Sequence, residues 1–323
     1  MSELITAGEP MVLFIADEKG ALSDVAHFTR YMAGADVNVS VGVARLGHSV
    51  TFLTQVGEDP FGKTVINFLK KEKIDTESVL KTSKQQTGFM LKALSDDGSP
   101  ETFYFRKGSA SSTITPESVE NINFNGAKIL HLGGILAGLS VSAYQTTLAL
   151  IKAARQHGLT ITFDPNLRPV IWDSEEEMIR RTNEIAFLSD IVMPNIKEAR
   201  ALSGETEKEK MADFFLKKGV KQVIINLVDI GSYTKKVRPD GGFEELLVPN
   251  YITKHIVDRI GAGDGFVSGV VSAKLEGLSD RETLLRGNAI GSIQLQSLGD
   301  NDGLPSTGQL QAFMEKTELA KSY

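Results

Sequence analysis

From residue 128 onward, short apolar runs alternate with helix-length amphipathic segments, and that alternation leaves few folds open. Lys128-Ile129-Leu130-His131-Leu132 reads as a strand, and Ala143 to Gln156 as an amphipathic helix stopped at Gly158. Leu159-Thr160-Ile161-Thr162-Phe163, Ile191-Val192-Met193 and Gln222-Val223-Ile224-Ile225-Asn226 are further strands, separated by helical patterns over 175–188 and 197–202. Apolar β runs alternating with helices imply a parallel sheet covered on both faces. The expected fold class is α/β, with a doubly wound, mainly parallel central sheet flanked by helices. Ligands of such sheets bind beyond the carboxyl ends of the strands. A length of 323 residues suits one large α/β domain or two smaller ones.

Upstream, residues 4 to 16 are apolar and broken by Gly8-Glu9-Pro10, as in a strand, a turn and a second strand. Thr87 to Ala93 and Glu101 to Arg106 flank Asp96-Asp97-Gly98-Ser99, and Asp-Gly is a strong hairpin signal. Tyr104 and Arg106 share one face of that hairpin by the two-residue period of a strand. Arg106 is either an anion grip on a lid or part of a solvated strand face. The formal charge of −6 argues against a nucleic-acid-binding surface, and the lack of cysteine removes disulfides and thiolate chemistry. No apolar run reaches membrane-spanning length, and the first residues lack a basic-then-apolar signal. The expected setting is the cytoplasm, with no membrane partner.

The stretch with the most chemistry is Val257-Asp258-Arg259-Ile260-Gly261-Ala262-Gly263-Asp264-Gly265-Phe266, which leads into an apolar helical segment ending at Gly277. Small residues let backbone amides crowd an anion, and a helix start adds unpaired N–H groups. A carboxylate at that point repels phosphate but can accept the proton of a hydroxyl attacking phosphorus, while the amides hold the transferring charge. The alternative is a glycine-rich turn with Asp264 as a helix cap. Ala33-Gly34-Ala35-Asp36, followed by Asn38, has room for a polyol and groups to bind its hydroxyls, or is a plain turn before a helix. Asn195 and Glu198, three apart at a helix start, either hold metal-bound water or form a near relative of a capping box. Asp164 and Arg168 follow a strand and can simply pair. His131 is expected to be a packed residue. Gly287-Asn288-Ala289-Ile290-Gly291 offers small residues that admit a flat group.

Gly57-Glu58-Asp59-Pro60-Phe61-Gly62-Lys63-Thr64 matches a P-loop pattern between a strand and a helix. Two acidic residues inside the cradle and a proline that deletes an amide argue for a turn instead, its acids capping the helix or facing a sugar site.

These residues together resemble the ribokinase-like, or PfkB, carbohydrate kinases over nearly the whole chain. The carriers are Ala33-Gly34-Ala35-Asp36-Val37-Asn38, Gly57-Glu58-Asp59-Pro60-Phe61-Gly62, Asn195-Ile196-Lys197-Glu198 and Gly261-Ala262-Gly263-Asp264. Gly8-Glu9-Pro10-Met11, Asp164 to Pro169 and Gly299 to Gly303 are similar to the 2-keto-3-deoxygluconate kinases of that family. The resemblance implies one ribokinase-like domain over 1–323, with a small β lid from about 9–31 and 87–108. It implies ATP-dependent phosphorylation of a sugar hydroxyl with Mg²⁺, Asp264 as base, and the amides of Gly261, Ala262 and Gly263 as anion hole. Gly34, Ala35, Asn38, Met90, Tyr104, Arg106, Arg168, Asp264 and Asp300 would meet the sugar acid. Asn166, Arg168, Asn195, Asn226, Gly231, Gly261, Gly263 and Asn288 would lie along ATP. Asn195 and Glu198 would order Mg²⁺ through water. An exposed lid edge implies a homo-oligomer, a lid-to-lid dimer being the simplest. Three positions depart from the family. Val228-Asp229-Ile230-Gly231 replaces Gly-x-x-Gly, Asp258-Arg259 replaces Asp-Thr, and Met90 stands where a tyrosine is usual in sugar-acid kinases. The alternatives are a fructokinase or another sugar kinase, a P-loop nucleotidase, or a non-catalytic sugar-binding module on the same fold.

Overall fold

The computed structural model describes residues 2–94, 100–253 and 255–321, so the hairpin turn Asp96-Asp97-Gly98-Ser99 lies outside the described residues. The strands are β1 (Leu4–Ala7), β2 (Met11–Ala16), β3 (Phe28–Ala33), β4 (Val50–Gly57), β5 (Val79–Thr82), β6 (Phe89–Lys92) and β7 (Thr102–Phe105), then β8 (Ile129–Gly133), β9 (Thr160–Asp164), β10 (Ile191–Val192), β11 (Gln222–Asn226), β12 (Gly231–Val237) and β13 (Phe243–Pro249). The helices are α1 (Ala35–Arg45), α2 (Pro60–Lys71), α3 (Gly134–Leu139), α4 (Val141–Gln156) and α5 (Glu175–Phe187), then α6 (Ile196–Ser203), α7 (Lys208–Leu216), α8 (Ala262–Leu275), α9 (Asp280–Gln294) and α10 (Thr307–Lys316).

Nine strands form one sheet in the order β13-β12-β11-β10-β9-β8-β1-β4-β5. It is parallel from β11 to β5, and β12 and β13 add an antiparallel edge. The two-residue period of a strand sends its apolar run to both faces. Ile5, Leu130, Leu132, Val223 and Ile225 enter one core, with residues of α4, α5, α6 and α7. Leu4, Phe52, Ile129 and Ile224 enter the other, with α1, α8 and α9. The alternation thus becomes a sheet covered on both sides, as expected.

At Gly8-Glu9-Pro10 the chain leaves the large sheet and enters a second one, ordered β3-β2-β6-β7. The predicted hairpin is its β6–β7 half, with Met90 opposite Tyr104. β3 and the β12–β13 hairpin were not apparent from residue pattern. None of these three strands alternates buried and exposed positions, and β12 opens with Gly231, a residue that weakens a strand signal.

Helix α8 is anchored by close approach to α9. A Cβ on Gly269 would lie 2.7 Å from Gly287 Cα, and one on Gly287 would lie 2.8 Å from the Phe266 ring. The small residues around Asn288 therefore serve helix packing rather than the admission of a flat ligand. That packing fixes where the first turn of α8 sits relative to the strand ends. No helix among the described residues is long and apolar enough to cross a membrane.

Candidate active site

The carboxyl ends of β9, β10 and β11, the first turns of α1 and α8, and the inner face of the small sheet enclose a cavity of about 310 Å³. Gly34, Ala35, Asn38, Met90, Tyr104, Arg106, Asp164, Asn166, Arg168, Asn195, Glu198, Asn226, Gly261, Gly263, Asp264 and Asp300 all line it, so most of the residues singled out above converge.

Gly261 is the pivot of the site. Its φ of 80° is left-handed, and a Cβ there would lie 2.3 Å from the carbonyl oxygen of Asp300. Only glycine makes this turn without strain. The turn begins α8 at Ala262, two residues before Asp264, so the helix starts at the cavity and not at Phe266. The leading amides of α8 have no partner one turn back, and their dipoles favour an anion. A Cβ on Gly263 would meet nothing within 4 Å, which leaves open space beside those amides.

Asp264 is half-buried on the cavity wall. Asn38 Nδ2 donates to one carboxylate oxygen at 2.7 Å and Asn166 Nδ2 to the other at 3.2 Å. Asn38 is itself oriented, because its oxygen accepts from Asn301 Nδ2 at 2.8 Å. Asn301 also donates to the Met32 carbonyl. Asn166 sits at φ 40°, a conformation asparagine tolerates better than most residues. The carboxylate is thus fixed in orientation while each oxygen keeps a lone pair free.

The cavity concentrates negative charge. Burial pushes Asp264 above the usual carboxylate range despite Asn38, Arg168 and Asn166. Burial, and then the charges of Glu198, Asp264 and Asp36, push Asp164 well up, and burial raises Glu198. Asp36 reaches about 7 through burial and the nearby Asp264. Asp300 reaches about 6, chiefly through burial, with Lys92 opposing.

The structure keeps some sequence expectations and revises others. Asp36 is 3 % exposed and does not line the cavity, so Asn38 alone of that pair reaches it. Arg106 faces the Tyr104 ring at 5.5 Å and also forms an ion pair with buried Glu9, so its charge already has a partner. Asn195 and Glu198 form a capping box, with Asn195 Oδ1 accepting from Glu198 N at 3.1 Å and Glu198 Oε2 from Asn195 N at 3.0 Å. Glu198 Oε1 accepts the Leu167 amide at 2.9 Å. Asn288 is buried and donates to the Val248 and Pro249 carbonyls, holding the end of β13 rather than lining the cavity. Gly231 is buried where a Cβ would lie 2.1 Å from Val248 O, so it serves strand pairing. Ala262 carries the helix start without lining the cavity. Asp59 caps α2 through Gly62 N at 2.7 Å and ties Thr87 N at 2.8 Å, so this segment is a helix cap and no phosphate cradle. His131 is buried and bonded to Thr162 at 3.0 Å, and burial lowers it to about 3. Arg259 pairs with Asp229 at 3.6 Å, which links two of the departures from family pattern to each other.

Sequence pattern did not single out Glu9, Lys92, Asp258 or Asn301. A signal existed for Lys92, which shares the inward face of β6 with buried Met90 by strand period.

The comparisons with known proteins agree with this geometry. The model of the pfkB family carbohydrate kinases matches residues 1–307. A 2-dehydro-3-deoxygluconokinase of Bacillus subtilis (strain 168) is 39% identical over 313 residues, 97% of this chain and 95% of that protein. Probable fructokinase-5 of Arabidopsis thaliana is 29% identical over 97% of each chain. The crystal structure of a PfkB protein from Polaromonas sp. JS666 superposes with a TM-score of 0.86 at 34% identity, covering 97% of this chain and all of that one. The chain belongs to the PfkB family of carbohydrate kinases. It is an enzyme of sugar phosphorylation on a ribokinase-like fold.

The buried carboxylates give the ligand-free protein a definite pH dependence. A carboxyl raised in the folded chain binds a proton that the unfolded chain releases, so its contribution is present at low pH and lost as pH rises through the folded value. Asp36, raised from 3.8 to about 7, acts across that interval, and the raised Asp164 and Asp264 act in the same direction. His131 opposes them only below its unfolded value near 6.5. Thermal melting should therefore rise as pH falls from about 8 to about 6.5. Asp36→Asn should flatten that slope, and an unchanged slope would show that Asp36 does not titrate there.

Proposed function

We propose that this kinase transfers the γ-phosphoryl group of ATP to the primary hydroxyl of 2-keto-3-deoxygluconate, with Asp264 as the base. The observation that carries the reading is the seat of Asp264, fixed by Asn38 and Asn166 at the third residue of α8 beside the Gly261 turn. The hydroxyl oxygen forms a bond to the γ-phosphorus as the bond to the bridging oxygen breaks. The proton passes to Asp264, and ADP leaves. Such transfer depends on positioning and on electrostatic stabilisation rather than on covalent catalysis. The amides of Gly261, Ala262 and Gly263 would hold the charge of the transferring group.

The donor set fits Mg²⁺. That ion keeps several waters and binds through one or two carboxylates plus substrate phosphates. Glu198 offers a buried carboxylate whose oxygens each retain a lone pair after accepting one amide, with Asn195 and Asp164 beside it. Bound with the nucleotide, Mg²⁺ would neutralise phosphate charge in a cavity already rich in carboxylates. The nucleotide would run from Asn226 along the Val228–Ile230 turn, where exposed Val228 and Ile230 suit an aromatic base. The small sheet would act as the lid of a single kinase domain, with Met90 and Tyr104 over the sugar.

The sugar acid is supported by the 39% identical Bacillus protein and by Arg168. Arg168 donates to Leu167 O at 3.0 Å and keeps further guanidinium donors for a carboxylate. The Arg106–Glu9 pair favours a second reading, a neutral hexose such as fructose, because it removes one of the two free cations a sugar acid would use. We further propose a homodimer through the small sheet, whose edge strand β7 exposes Phe103 and Phe105.

Asp264→Asn should lower kcat by about 10²–10⁴-fold with sugar affinity largely kept, as removal of a general base does. An active variant would exclude Asp264 as the base. In an ATP-consumption assay over sugar acids and neutral hexoses, Arg168→Ala should raise KM for the acid more than for a hexose. Equal effects on both would remove its carboxylate role. Sedimentation at micromolar concentration should give a dimer, and a monomer there would rule out the small-sheet interface.

A further inference from the structure

Lys92 is the last residue of β6, and its side chain is 1 % exposed. A lysine so placed in a small sheet requires a buried counter-charge. Its ammonium donates to Asp258 Oδ2, lies 3.4 Å from the Leu298 carbonyl and 3.5 Å from Asp300 Oδ1. Both carboxylate partners touch the start of α8. Asp258 uses its other oxygen to accept the Ile260 amide at 3.0 Å, forming the turn that precedes Gly261. Asp300 sets its backbone carbonyl where a Cβ on Gly261 would be, and its side chain lines the cavity. One ammonium therefore joins the small sheet, the turn before the helix and the loop packed against that turn.

We propose that Lys92 is a positioning residue for phosphoryl transfer, holding Asp258 and Asp300 so that the Gly261 turn presents its amides to the transferring group. The inference rests on the assignment of that turn as the anion site. Lys92 does not line the cavity, so it acts through its partners. Without the ammonium, two buried carboxylates face each other in a medium of low dielectric. They must then separate, take up a proton or recruit a cation. Separation shifts the Ile260 and Gly261 backbone, and displacement of about 1 Å at a reacting centre is enough to lower turnover about 10²-fold.

The test is Lys92→Met in the full-length enzyme, assayed with ATP and the best sugar. The expected result is a kcat lowered about 10²-fold, with calorimetric sugar affinity and KM for ATP near wild type. Lys92→Arg should restore much of the turnover. Lys92→Ala should regain turnover in ammonium or ethylammonium chloride but not in sodium chloride of equal ionic strength. A Lys92→Met enzyme with wild-type kcat would overturn the proposal. So would a parallel loss of kcat, sugar affinity and melting temperature without rescue by ammonium, the mark of a purely structural pair. Should Lys92→Met fail to fold, Asp258→Asn keeps the acceptor for Ile260 and removes the charge. It should lower kcat in the same way, and full activity would count against the idea. An inactive Asp264→Asn beside a fully active Lys92→Met overturns the positioning role alone, whereas an active Asp264→Asn overturns the site assignment beneath it.

Discussion

Five carboxylates, those of Asp36, Asp164, Glu198, Asp264 and Asp300, are gathered at or beneath one cavity, four of them buried and Asp264 half-buried. Like charges in a low dielectric repel strongly, and a chain selected for stability alone would not collect them. The rest of the site is arranged around that constraint. Asn38 and Asn166 donate to Asp264 without adding charge, and backbone amides satisfy both oxygens of Glu198. Repulsion among these carboxylates raises Asp164 and Asp36, and a cation-bearing nucleotide bound as proposed would relieve it.

Three of the basic residues at or near the cavity are paired with acids, whereas Arg168 is not, among the described residues. Arg106 meets Glu9, Lys92 meets Asp258, and Arg259 meets Asp229. The first two pairs are buried and tie the small sheet to the large one and to the helix start. The third is exposed and joins the two loops that depart most from family pattern. An exposed pair of this kind contributes little to stability. Its consequence here is directional, since it draws the bulky Arg259 toward Asp229 in place of the small residue usual in the family.

Much of the fold was legible along the chain because its core strands are local, apolar and separated by helices with clear stops. The β6–β7 hairpin was legible from its turn residues, and the rejection of a P-loop at Gly57–Thr64 from charge and a missing amide. Within the site, the Gly261–Asp264 segment carried its own message, since small residues before a carboxylate at a helix start have few chemical uses. The roles expected of Gly231, Gly287 and Asn288 did not hold in the same form. Small residues that admit a ligand and small residues that let two elements pack look alike until the neighbour is known, and here the neighbours are Val248, Phe266 and Gly269.

By itself, the sequence determined the parallel sheet, the position of the proposed base on a helix start, and the kind of chemistry such a group performs. Only tertiary structure decided which side chains surround that base. Asn38 and Asp264 are 226 residues apart in sequence, and Lys92 and Asp258 are 166 apart. Hydrogen bonding and ion pairing depend on distance in space, and no periodicity records a contact between segments so far apart. A lone lysine in a strand and an asparagine in a polar loop take their meaning from what the fold brings within about 3 Å.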